Sequence, residues 1–206
     1  MNEDRVQQQI IDRYQQPLPD AWFALASAGC FDRMSEVHLQ LSDLQWMTAE
    51  TMLSWRFPAD TIDGLMPFAA TSNEDLWCFA RIFKPFDNEN SVVYCPHEDE
   101  VAFAYAPNFK GFIFRAVIEE YACTCLTDAH SPGRSLAILG DYASLVRPHL
   151  PKAWADIVQE VASRPLMELD HGYFGTLSSE EAQVIITTAF AGWTDLEREF
   201  EQFLGN

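Results

Sequence analysis

The sequence predicts an α+β fold: an antiparallel β-meander sheet packed with helices, plus a helical C-terminal extension. Apolar residues recur at helical spacing near both ends of the chain. The middle carries four short runs rich in β-branched and aromatic residues, and polar clusters that favour turns separate them. With 206 residues, 48% of them hydrophobic and including 15 Phe and 6 Trp, the chain has ample material for a core.

Val6, Ile10, Ile11 and Tyr14 fall at helical spacing and predict an amphipathic helix over residues 4–15. Pro17 and Pro19 stop it. Pro19 can open a second helix at its first turn, with Asp20 suited to the helix dipole. That helix carries Trp22, Phe23, Leu25 and Ala26 and ends near Gly29 as a left-handed cap. Thr48, Glu50, Met52, Leu53 and Trp55 predict another short helix before Pro58. The period then changes. "LMPFAA", "DLWCFARIF", "SVVYC" and "EVAFAYA" read as about four strands, separated by "TSNE", "KPFDNEN" and "PHED". Alternation places Leu76, Cys78 and Ala80 on one face and Trp77 and Phe79 on the other. Both faces are apolar, so both are expected to be covered.

A helix is predicted after Pro107, with Phe109, Phe112, Ile113, Ala116 and Val117 on one apolar face. Residues 135–147 and 151–163 read as helices, broken by Pro148 and Pro151. Ser178-x-x-Glu181 and Thr194-x-x-Glu197 both have the form of a capping box. The first precedes "AQVIITTAF", where β-branched content leaves helix and strand both open. The second predicts a terminal helix through Leu196, Phe200, Phe203 and Leu204. The expected division is an α+β domain over 1–125 and a mainly helical extension over 126–206 packed on it.

Charge narrows the function. There are 31 acidic and 13 basic residues, a net charge of −18, which repels phosphate backbones and anionic membranes and attracts basic partners. The same acidity also serves solubility. The N-terminus has no basic segment followed by an apolar stretch, so no secretory leader is expected. The longest apolar run, Ala21 to Phe31, is too short to span a bilayer. Five scattered cysteines (Cys30, Cys78, Cys95, Cys123 and Cys125) make no disulfide framework, and a reducing cytoplasm is the expected setting.

Three segments carry a family resemblance. "LPDAWFALASAG" resembles the Leu-Pro-x-x-Tyr-x-x-Phe-Leu-x-x-x-Asn-Gly signature of the SUKH superfamily of Smi/Knr-type proteins, through Leu18, Pro19, Trp22, Leu25 and Gly29. "MPFAATSNEDLWCF" resembles its second motif, an Ile-Pro-Phe-Ala run, a turn and an aromatic strand. "APNFKGFIFRAVIEEY" resembles its third, a Ser/Asn-Phe-x-x-Phe-Leu helix, through Phe109, Phe112 and Ile113. The resemblance covers residues 4–123, with Ala28 in place of the family Asn and Ala80 in place of a frequent Asp. Leu18, Trp22, Phe68, Trp77, Phe109 and Phe112 are expected to form a core. What the resemblance implies is a binding fold without catalysis. Bacterial members are typically immunity proteins that neutralise toxins, often nucleases, and fungal relatives are interaction hubs.

Other constellations are less developed. Cys95-Pro-His97 and Cys123-Thr-Cys125, with His130 nearby, supply zinc-type ligands. However, the C-x-C spacing and the apolar flanks of Cys95 and Cys123 favour buried thiols, so no metal is expected. There is no G-x-S-x-G elbow, and Asp128, His130 and Ser131 lie too close together for a triad built from separate elements. Asp170 beside His171 reads as a solvated turn. "SPGRS", with Arg134, lacks the Walker lysine and spacing, and without a dinucleotide fingerprint no cofactor is expected. A small hydrolase using His130 or His171 is the alternative from the enzyme class.

The acidic turns are the candidate partner surface: Glu74 and Asp75 beside Asn73, then Asp87 and Glu89, then Glu98, Asp99 and Glu100. Alternate turns of a meander share one end of the sheet, so the first and third can form one negative patch. Ordinary turn chemistry also explains the same residues. The expected partner is a basic protein such as a polymorphic toxin, with neither nucleic acid nor membrane involved. An alternative is a housekeeping adaptor of the Smi/Knr type.

Overall fold

Helix α1 (Glu3–Tyr14) buries Val6 and Ile10, four residues apart, as its spacing predicts. The side-chain amide of Gln7 holds the returning chain in both directions: Nε2 donates to Leu18 O (3.0 Å) and Leu18 N donates to Oε1 (3.1 Å). In α2 (Asp20–Ser27), Pro19 stands just before the helix as its N-cap. The helix ends in a Schellman motif: Gly29 N–H reaches Ala26 O and Cys30 N–H reaches Leu25 O, each at 3.0 Å. Gly29 has φ +81°, which a side chain would resist. Thr48 caps α3 (Ala49–Ser54) by accepting from Thr51 N at 3.1 Å. At the other end of α3, the Arg56 guanidinium donates to the Ser54 and Trp55 carbonyls, each at 2.9 Å.

The computed structural model describes residues 3–35, 38–39, 41, 44–83, 89–122, 132–169 and 174–203. They fall into two units, Met1–His38 with Asp43–Phe109 and Trp193–Asn206, and Leu39–Ser42 with Lys110–Gly192. The molecule is α+β, with a six-stranded antiparallel sheet in the first unit. Strands β1 (Gln45–Trp46), β2 (Leu65–Ala70), β3 (Leu76–Ala80), β4 (Ser91–Cys95), β5 (Val101–Ala106) and β8 (Glu199–Glu201) lie in that spatial order. The meander of four is therefore present, extended by one strand on each side. The register shifts between Pro67 and Ala69, giving a bulge beside the proline that cannot donate to the ladder.

Residues opposed in an antiparallel ladder share a face. One face carries Cys78, Val93, Cys95, Ala102 and Ala104, all buried. On the other, Phe68, Phe79 and Phe109 pack together, Phe68 to Phe79 at 4.5 Å and Phe109 to each at 5.6 and 5.7 Å between ring centroids. Trp46 continues this cluster and stacks on Phe31 at 4.2 Å, and Phe31 meets Trp22 at 5.6 Å. Of the six expected core residues, Leu18, Trp22, Phe68, Phe109 and Phe112 are buried. Trp77 is not. It shares a face with Phe79 but is half-buried, its ring lying against Tyr94 at 4.7 Å and Tyr105 at 4.4 Å.

The expected terminal helix is a strand. Thr194-x-x-Glu197 has the capping pattern, but Glu197 adopts φ +59° and its N–H goes to Ala104 O at 2.7 Å. The open edge of β5 supplies ladder bonds that a local helix would forgo, and Val101, Ala102 and Phe103 pair with Glu201, Phe200 and Glu199. Beyond β8, Thr61 bridges Phe203 and Ile62 N donates to Gln202 O at 3.0 Å.

The second unit contains α4 (Phe109–Ala122) from Lys110 onward, α5 (Pro132–Val146), a 3₁₀ turn at Arg147–His149, α6 (Lys152–Ala162), a hairpin of β6 (Met167–Glu168) and β7 (Phe174–Gly175), and α7 (Ser179–Ala189). Phe114 stacks on Trp154 at 5.0 Å, and Phe190 joins them. Both capping-box bonds form at α7, so the ambiguous "AQVIITTAF" is helical, burying Ala182 and Ile186. Gly175 is required by packing: a Cβ there would meet Tyr121 O at 2.6 Å.

Candidate binding surface

The β2–β3 and β4–β5 turns do lie at one end of the sheet, beside the Leu76–Cys95 pair. Asp75 ties them together. Its Oδ2 accepts from Tyr94 Oη at 2.6 Å and from Thr71 Oγ1 at 3.1 Å, while Oδ1 accepts from His97 N at 3.0 Å and lies 3.4 Å from His97 Nδ1. Burial raises the Asp75 pKa, but the hydrogen bonds from Tyr94, His97 and Thr71 outweigh it and hold the carboxyl below its ordinary value. Conversely, burial and then the Asp75 carboxylate push the Tyr94 phenol upward.

The third turn has a second clamp. Gln202 is 5% exposed, and its Nε2 donates to Pro96 O at 2.6 Å and to Asp99 O. Gln202 N donates to Glu100 O at 2.9 Å. Between the turns lies an open hollow of about 520 Å³, lined by Asn73, Asp75, Pro96, His97, Glu98 and Asp99. A deeper cleft of about 680 Å³ shares Pro96 and His97 with it and is lined by Trp55, Phe57, Leu65, Leu76 and Phe203, with Glu74 at its wall.

The seven predicted site residues therefore separate. Glu74, Glu98, Asp99 and Glu100 are exposed at the paired turns, and the Glu98 side chain is 87% exposed. Asp75 is there too but turns inward as an organiser. Glu89 lies at the other end of the strands, next to Asn90, whose Nδ2 donates to Gln16 Oε1 at 2.6 Å. Asp87 lies outside the described residues. Sequence reading missed Tyr94 and Gln202, and neither carries a local signal: each acts only through a turn distant in the chain.

His97 lies between two carboxylates, Nδ1 towards Asp75 and Nε2 at 3.6 Å from Glu98 Oε1. Cys95 is buried and meets Cys78, whose thiol is pushed upward by burial and then by the Cys95 neighbour. Among the described residues no three His, Cys, Asp or Glu side chains form a group suited to a metal; Cys123, Cys125, Asp128, His130, Ser131, Asp170 and His171 lie outside them. No helix among the described residues is long and apolar enough to cross a membrane. No family model matches the chain, and neither a curated protein nor a solved structure matches it.

Proposed function

We propose that this chain is a binding protein of the SUKH type, an immunity protein that occludes a basic toxin and performs no catalysis of its own. The observation carrying this reading is the joining of two acidic turns by Asp75, which leaves Glu74, Glu98, Asp99 and Glu100 projecting from one end of the sheet. A fixed array of carboxylates on a chain of net charge −18 steers a cationic partner and sets its orientation. The motif residues add support. Trp22 of the first segment reaches Phe68 of the second through Phe31 and Trp46, and Phe109 of the third closes on Phe68.

The test starts with partner capture using the product of a neighbouring toxin-like gene, then compares two charge reversals. Glu98→Lys/Asp99→Lys/Glu100→Lys should lower the association rate roughly ten-fold or more. The control, Asp12→Lys/Asp20→Lys/Asp63→Lys, changes net charge equally on α1, on α2 and beside Gly64, and should lower it far less. Equal losses would assign the effect to net charge and remove the turns from the interface. A captured partner with no toxin character would favour the adaptor.

A further inference from the structure

We propose that the half-exposed aromatic row beside the acidic turns is a docking surface for an arginine-bearing segment of a protein partner. This rests on the binding-protein reading and names the partner's chemistry. The ladder registers define the row. Trp46 opposes Ala69, Ala69 opposes Trp77, Trp77 opposes Tyr94, Tyr94 opposes Phe103, and Phe103 opposes Glu199, so one line crosses all six strands on one face. Its first half runs beside the packed Phe68–Phe79–Phe109 cluster. In its second half Trp77, Tyr94 and Phe103 are each half-exposed, and the Tyr105 ring meets Trp77 at 4.4 Å.

Strand β5 shows the asymmetry directly. Ala102, Ala104 and Ala106 are fully buried, while Val101, Phe103 and Tyr105 alternate with them and remain half-exposed. Large side chains that stay partly accessible side by side on one face form a contiguous apolar patch, the kind of surface that partners use. Next to Phe103 and Val101, on the same face, stand the exposed Glu199 and Glu201 of β8, and Asp75 holds the Tyr94 hydroxyl at the row's edge.

Rings bordered by carboxylates select a guanidinium, which stacks flat on an aromatic face and pairs with a carboxylate through its fork; an ammonium is a strongly hydrated point charge that can do neither. The nearby basic side chains are already engaged: Arg198 lies over Phe83 and donates to Asp195 at 2.9 Å, and His97 is held by the turns. Charge complementarity thus favours a cationic partner over a second copy of this acidic chain.

The full chain is titrated calorimetrically with nona-arginine and nona-lysine, peptides of equal charge, at about 0.15 M salt. We expect nona-arginine to bind at least five-fold more tightly. Phe103→Ser, and separately Glu199→Gln/Glu201→Gln, should each cut that preference below two-fold with an unchanged circular dichroism spectrum; the exposed glutamates keep the test valid where Phe103→Ser fails to fold. Glu98→Lys/Asp99→Lys/Glu100→Lys should weaken both peptides alike and keep the preference. Equal affinity for the two peptides, or a preference that survives both row variants, overturns the assignment without touching the turn-reversal test of the proposed function. Self-association abolished by Phe103→Ser would make a second copy the occupant and equally overturn it.

Discussion

Asp75 is the side chain on which the paired turns depend, and its ionisation carries a sign. A carboxyl held below its ordinary value contributes stability above about pH 4, and that contribution is lost as pH falls through the folded-state pKa. Urea melts of the wild type and Asp75→Asn should differ most near neutral pH and converge as pH drops below about 4. A gap independent of pH would mean that the carboxylate charge is not what the turn hydrogen bonds use. The aromatic residues offer a second contrast. Phe109→Ala, at the centre of the buried cluster, should cost ~3–5 kcal/mol by denaturant melt, whereas half-exposed Trp77→Ala should cost about 1–2 kcal/mol. The sequence cannot separate these two rings, since both sit in apolar aromatic stretches. Nor does it distinguish Asp75 from Glu74, because inward or outward direction is decided by Tyr94, nineteen positions away.

Elements bounded by local chemistry were legible: α2 by Pro19 and Gly29, α3 by Thr48 and Pro58, and the meander by its turn clusters. The α7 cap was legible too, although the β-branched run behind it was not resolved. There Ser178→Ala should cost about 1 kcal/mol, since it removes the cap on Glu181 N, and thermal melts check this. The misreading was β8. "EFEQF" spaces Phe200 and Phe203 three apart, as a helix would, and only the bare edge of β5 overrides that local signal. The strict alternation in "VAFAYA" held unread information, large residues on one side and alanines on the other, which marks an uneven sheet with one half-wet face. The acidic turns could be placed from sequence, whereas the carboxylates of β8 could not, because their position exists only through a long-range ladder.

For the molecule as a whole, a net charge of −18 opposes its own compactness. Screening should relieve that, so the urea midpoint is expected to rise between about 0.02 and 0.3 M sodium chloride. A midpoint that falls with salt would mean that attractive ion pairs such as Arg164 with Glu160 and Glu181 outweigh the global repulsion. The ladder between β5 and β8 has a different consequence, during synthesis. Val101 meets Glu201, so the rim of β5 waits for about one hundred further residues to be translated, on the order of 5–20 s at the ribosome. Throughout that interval the nascent sheet presents unpaired amides and carbonyls beside Phe103 and Tyr105, a template for joining another chain. A chain ending at Gly192 keeps that template permanently and should be recovered as aggregate, while one ending at Phe203 should stay dispersed.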